Sequence, residues 1–487
     1  MPDLTQKIAA LSPEKRALLE ARLLKKNNPV AQIIIPETLQ NHLPELSFAQ
    51  QSLWFLDSLE PNSAFYSIPQ AIQISGSLDA EALRKSFEKV IERHEVLRTQ
   101  ILPSGGKPEA RLIEKGAFPL PIVDLSHLGI LEQQAEGKRL IEIEVQKPFD
   151  LENDLMLRAT LLRFSPVEHF LLLTVHHIAS DHWSFAVLYR ELKACYQSCQ
   201  KGELVTLPPL PIQYSDVARA QREFFQSEKF LKQVAYWKQH LAGELTELEL
   251  PLDHPRPARQ SFRGARKFVS LPHELAVQIK SFCQREGTTP YVILLAAFQV
   301  LLHRISGQSE IIIGSPIGGR YQLEAEQLIG YFVNPLVLRT DLSGDPTFLE
   351  ALHRVREVVF GAFSNQEIPF EKVVDELRVP RDSGKNPIFQ TIFQFQTQTP
   401  KLELPGTKTK LLPVEIQTSK LDLVFTMAET EEGFSGDMEY NTDIFEGETV
   451  ERMLGQYGCL LGSILARPEE KISRLQILGE AEREKVL

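Results

Sequence analysis

The stretch Phe170–Phe185, FLLLTVHHIASDHWSF, gathers titratable side chains at the end of an apolar run. His176 and His177 are adjacent, and Asp181 and His182 follow. A neutral imidazole near pH 7 accepts a proton from an attacking amine or hydroxyl, or orients it. The same four side chains are also potential metal ligands. A third reading is a pair of hydrogen-bonded core histidines with no chemistry. The spacing fits neither HxHxDH nor HExxH, and side chains on opposite faces of a strand cannot all chelate one ion. No metal is therefore expected. There is no GxSxG elbow, no Walker A loop and no GxGxxG.

These residues need an element that presents them. A strand buried on both faces reads as a continuous apolar run, so Phe170–Val175 is predicted to be one. Consecutive strand residues point to opposite faces, so one histidine faces a cleft and the other packs inward. Asp181 stands where a helix N-cap is wanted, opening an amphipathic helix over Asp181–Gln200. Around it the first half reads as strands at Ala71–Ile74 and Leu157–Phe164 and helices at Asp79–Arg93, Gln213–Phe225 and Glu228–Leu241. The second half repeats the rhythm. Strands are expected at Arg266–Leu271, Glu310–Ser315, Val333–Arg339 and Ile388–Gln396. Helices are expected at Glu274–Glu286, Thr289–Ser306, Thr347–Glu367 and Glu446–Ala466, with a hairpin over Asp422–Tyr440. Two mixed α/β halves follow from this pattern. Residues 1–36 read as a helical lead-in and linker.

Composition narrows the function classes. The 487 residues carry 53 Lys+Arg against 64 Asp+Glu, a net charge of −11. So acidic a chain is a poor partner for a phosphate backbone, and no nucleic acid is expected. Cys195, Cys199, Cys283 and Cys459 form no CxxC pair and are too few for a disulfide scaffold. A reducing cytoplasm is the expected compartment. The longest apolar stretch, near Tyr291–Leu302, is too short to cross a bilayer and reads as a buried helix. No membrane association is expected.

HHIASDHWS resembles the HHxxxDG signature of nonribosomal peptide synthetase condensation domains. Other stretches match that family in its order. Ser47–Trp54, SFAQQSLW, is similar to SxAQxRLW, and Arg93–Thr99 matches RHExLRT. Tyr214, Asp216, Ala218, Gln221 and Arg222 resemble YxDxAxWQR, while Ile329–Asn334 matches IGxFVN. Asn365–Glu371 is close to NQDxPFE; Arg381, Asp382, Asn386 and Pro387 fit RDxSxNP, and Glu439–Thr442 resembles EYNT. The resemblance runs from about Leu46 to Leu478.

The resemblance implies two chloramphenicol acetyltransferase-like lobes arranged as a V, with an active-site tunnel between them. It implies a first lobe over residues 37–222, a second over 223–470, and a linker at 471–487 toward an adenylation domain. The implied reaction joins a donor acyl or peptidyl thioester to the amine of an acceptor aminoacyl thioester. Both ride on phosphopantetheine arms of carrier proteins, the donor's upstream and the acceptor's downstream, so the domain binds no cofactor itself. His177 is then the substrate-facing histidine, a general base or a positioning group for the amine, and His176 the structural one. Asp181 pairs with an arginine, for which Arg320 in GSPIGGR is the candidate. His182, Trp183, Ser184 and Asn386 are expected to line the tunnel.

Departures from the family pattern are Ser52 for arginine, Ala220 for tryptophan, Pro335 for threonine, and His182 for the glycine after Asp181. That last replacement, with VNPLVLR, is similar to condensation domains that follow polyketide modules. The alternative is a catalytically silent module that recruits a partner protein; His177 and Asp181 speak for the enzyme.

Overall fold

The apolar run that ends in the histidine pair is the middle strand of a five-stranded sheet. The computed structural model describes residues 44–479 and 484, except 62, 259, 380–384, 397–399 and 415–416. The lead-in over 1–36 and the motif residues Arg381 and Asp382 lie outside the described residues.

The first half runs α1 (Phe48–Leu59), β1 (Ser67–Gly76), α2 (Ala80–Arg93), β2 (Thr99–Ser104), β3 (Lys107–Leu112), β4 (Ile122–Asp124), α3 (Ile130–Gln146), β5 (Leu157–Ser165), β6 (Glu168–His176), α4 (His182–Lys201) and α5 (Tyr214–Phe224). Strand β6 lies antiparallel between β1 and β5, and β4 extends the sheet beside β5. Leu171, Leu173 and Val175 enter a core shared with Phe87 and Val90 of α2 and Val187 and Leu192 of α4. Leu172 faces the other way, into a smaller cluster with Leu140 and Ile141 of α3. Burial on both faces is why this strand carries no polar alternation.

The second half runs α6 (Glu228–His240), β7 (Gly264–Ser270), α7 (His273–Glu286), α8 (Pro290–Ser306), β8 (Glu310–Ile317), β9 (Asn334–Asp341), α9 (Phe348–Ser364), α10 (Phe370–Leu377), β10 (Thr391–Gln396), β11 (Thr407–Leu412), β12 (Leu423–Thr430), β13 (Gly433–Asn441) and α11 (Gly447–Ala466). Its six-stranded sheet has the order β7-β13-β12-β10-β8-β9. Helix α8 is buried almost throughout, with Ile293–Leu302 inside the second core. Among the described residues no single helix is long and apolar enough to cross a membrane.

The two halves exchange segments. Strand β11 leaves the second half and pairs antiparallel with β1, Ala71 opposite Leu412. Ala325, Leu328, Ile329 and Phe332, between β8 and β9, bury themselves in the first core. Each excursion crosses the junction between the halves out and back, so the chain makes four crossings beyond the one that a division at residue 222 implies.

Candidate active site

The site is built where β6 ends. His176 is the last residue of the strand, and His177 opens a single 3₁₀ turn, His177–Ala179. The two rings part company because the backbone leaves the strand between them, not through strand alternation alone. His176 is buried, with its Nδ1 accepting from the main-chain N–H of Ile178 at 3.2 Å. Its proton therefore sits on Nε2, which points toward Asp57 of α1 at 3.9 Å. Phe149 and Tyr66 pack edge-on against the same ring. Burial lowers His176 to about 3 and raises the Asp57 carboxyl to about 6.

His177 is half-buried and its ring carries the opposite tautomer. Nδ1 lies 2.8 Å from the carbonyl oxygen of Ser180. A carbonyl only accepts, so Nδ1 holds the proton and Nε2 keeps a lone pair. Burial, reinforced by the charge of Lys420, pushes this imidazole down to about 4. It is thus uncharged and proton-accepting across the neutral range. Tyr331 packs edge-on at 4.9 Å, and the His177 main-chain N–H donates to the carbonyl of Tyr66 at 2.7 Å.

Asp181 caps α4 as its sequence position demands, accepting from Ser184 N at 2.9 Å. It also reaches across the junction. Arg320 grips it with Nη1 at 2.6 Å and Nη2 at 3.0 Å, and the N–H of Phe332 donates to it at 3.2 Å. The guanidinium stacks on Phe332, 4.0 Å from the ring centre. The expected pair is present, fully buried, and joins the lobes.

Two expected tunnel residues do other work. Ser184 is 1 % exposed, and its hydroxyl accepts from Arg320 and from the N–H of Gly330. It belongs to the buried pair and not to an open wall, because the first turn of α4 points it at the second lobe. Trp183 is 45 % exposed, and its indole N–H donates to Glu326 O at 3.0 Å, tying α4 to the segment that crosses over. Asn386 organises the turn before β10, where its Oδ1 accepts from the N–H groups of Ile388 and Phe389. Among the described residues no hydrogen bond links it to the histidines. His182 is half-buried at the first position of α4. Among the described residues no group of three His, Cys, Asp or Glu side chains is placed to hold a metal ion.

The other motifs support this loop. Ser47 and Gln50 form a capping box on α1, and Gln50 Nε2 donates to the carbonyl of Ile178 at 2.9 Å. Arg93 and His94 both bind Glu191 of α4, at 3.1 and 2.9 Å. Asn334 donates to the carbonyls of Gln366 and Ile368, each at 2.9 Å, fixing the turn that starts α10. Tyr66, Asp57 and Lys420, all close to the histidine pair, carry no sequence signal. Each gains its place only when distant segments meet.

Comparison with known proteins follows this geometry. The sequence profile described as Condensation domain matches residues 40–487. The chain is 42 % identical over 459 residues to one of the linear gramicidin synthase proteins of Brevibacillus parabrevis, covering 93 % of this chain and 9 % of that protein. It is 36 % identical over 489 residues to the phosphinothricin tripeptide synthetase PhsC of Streptomyces viridochromogenes, covering 99 % and 45 %. It therefore spans less than half the length of these curated relatives. Among solved structures it is similar to the X-domain of teicoplanin biosynthesis in its complex with OxyB. The TM-score is 0.83 at 27 % identity, over 92 % of this chain and 98 % of that one. The two halves are chloramphenicol acetyltransferase-like lobes in a V-shaped pseudo-dimer. The chain belongs to the condensation-domain family, the amide-forming acyltransferases of nonribosomal peptide synthetases.

Proposed function

We propose that this domain joins a donor acyl or peptidyl thioester to the amine of an acceptor aminoacyl thioester, each held on the phosphopantetheine arm of a carrier protein. The observation that carries the reading is the uncharged His177 ring with its Nε2 lone pair free of the Ser180 bond. The acceptor nitrogen attacks the thioester carbonyl, the C–N bond forms, and the C–S bond breaks. Nε2 orients the amine and takes the proton that the departing thiolate receives. An α-amino group has a pKa of ~7.7–8, so little base strength is needed, and two tethered arms held end to end supply much of the rate. An upstream donor carrier, a downstream acceptor carrier and an adjacent adenylation domain are the partners this reading requires. A β-functionalised acyl donor, delivered after a polyketide module, is the donor class suggested by His182 and VNPLVLR.

Incubation with the two loaded carriers, with chelator present, tests the reading. Intact-mass analysis should show the donor transferred onto the acceptor carrier. Folded protein that transfers neither acyl nor peptidyl donors would leave the recruiting-module alternative; the similar X-domain is known in a complex with OxyB.

His182 gives a separate prediction. It stands beside Asp181 where a glycine would leave space, so its ring restricts the donor or acceptor path. His182→Gly should retain the chemical step and raise the rate with a bulky donor relative to a short one by roughly tenfold, the size of effect a few missing heavy atoms produce. Single-turnover assays with both donors decide it; an unchanged ratio places the ring outside the path.

A further inference from the structure

Lys420 is the charged group at this junction that the reaction above leaves unused. It belongs to the segment between β11 and β12, and that segment is pinned. The N–H of Gly264 donates to Gln417 O at 3.0 Å, and the N–H of Ser419 donates to Phe262 O at 2.9 Å. A Cβ on Gly264 would stand 2.5 Å from Ser419 N, so only glycine allows the two stretches to lie this close. Phe262 holds φ at +57°, an uncommon conformation for a bulky residue. Its ring meets Phe65 of the first lobe at 4.7 Å. Lys420 reaches the same way, with Nζ 4.4 Å from the ring centre of Tyr66 and 5.2 Å from that of Phe65. Tyr66 is the residue whose carbonyl receives the His177 N–H. The second lobe thus delivers an ammonium against Tyr66, close enough to the histidine pair to act on both rings.

The charge has no carboxylate of its own among the described residues. Glu439 on β13 acts on it, yet that carboxylate is held by Arg266 of β7 at 2.8 Å. Among the described residues, His176, His177 and Tyr66 are titratable neighbours as well, with Asp57 acting on Tyr66. Burial lowers the Lys420 amine to about 8, Glu439 opposing the shift and Arg266 adding to it. A partly desolvated, rigidly held cation without a fixed counter-ion stabilises an arriving anion far more than one in water does.

The condensation reaction makes such an anion. We propose that Lys420 is a further catalytic residue, its ammonium stabilising the oxyanion of the tetrahedral intermediate from the lobe opposite His177; this rests on the condensation reading above. When the amine attacks, the carbonyl electron pair moves onto oxygen beside the ammonium. When that pair returns, the C–S bond breaks and the amine's proton passes through His177 to the thiolate, giving a free thiol. Lys420 keeps its own proton throughout.

The test is single-turnover amide formation between two loaded carriers from pH 6.5 to 9, with the intact domain, Lys420→Met and Lys420→Arg. Lys420→Met should slow the chemical step by about 10²-fold, the loss typical of one oxyanion donor, with KM for the acceptor carrier nearly unchanged. The unaltered domain should lose rate as pH rises through the range where the ammonium gives up its proton. Lys420→Arg, which stays charged there, should keep a tenth or more of the rate and lose that alkaline fall. A purely structural lysine would not move the alkaline limb. Lys420→Met within twofold of the unaltered domain, or an alkaline fall unchanged in Lys420→Arg, overturns the proposal. Absence of product from the unaltered domain strikes instead at the condensation reading.

Discussion

Alanine in place of His177 is expected to slow amide formation by roughly 10²–10⁴-fold, the range of a positioned acid–base group, while the protein stays folded. The ring is half-buried and spends its only proton on the Ser180 carbonyl. Its removal takes no apolar side chain out of either core. What disappears is the Nε2 lone pair that meets the amine. Because His177 is already neutral above about 4, the loss of rate on lowering the pH from 8 to 6 should follow protonation of the acceptor's own amine. Mass-spectrometric product formation beside a thermal melt is the measurement. Full activity in a folded His177→Ala protein would remove the residue from the mechanism. His176 gives the opposite pattern, because its ring is buried between Phe149, Tyr66 and Asp57.

Breaking the Asp181–Arg320 pair should be the most damaging change to stability. Both side chains are buried, and the carboxylate also takes the N–H groups of Ser184 and Phe332. Arg320→Ala strands the carboxylate in the interior, and Asp181→Ala strands the guanidinium. Each is expected to cost about 3–5 kcal/mol. The double variant should cost clearly less than the sum, since neither orphan charge remains. Denaturant titrations of all three variants measure this coupling; strictly additive losses would show that the two groups do not sense each other.

The sheet and site are legible where local pattern and burial agree. The run into His176 and the cap at Asp181 are strong because β6 is apolar on both faces and α4 needs an acceptor at its start. Helix α3 is not legible: Ile130 and Leu131 face outward at 75 % and 81 % exposure, so its apolar periodicity is blurred. Gly137 within it accommodates Phe164, which a Cβ would meet at 2.7 Å. Strand β11, TKTKLL, alternates lysines as an edge strand does and reads as a polar loop. A tunnel wall is the natural expectation for Trp183 and Ser184, because a sequence gives their spacing and not the segment, Glu326–Phe332, that covers them. Lys420 lies in a stretch with no periodic signal, and its meaning arises only from the contact of two lobes.

Strand β11 has a consequence for synthesis. A chain leaves the ribosome from its N-terminus, and domains generally begin folding as they emerge. Here β1 appears early, but the strand that covers its outer edge, Thr407–Leu412, is made more than 300 residues later. While the residues between them are being made, that edge presents unpaired N–H and C=O groups, the usual template for intermolecular pairing. The first lobe is therefore not a self-sufficient vectorial folding unit: it waits for nearly the whole domain before its sheet can close.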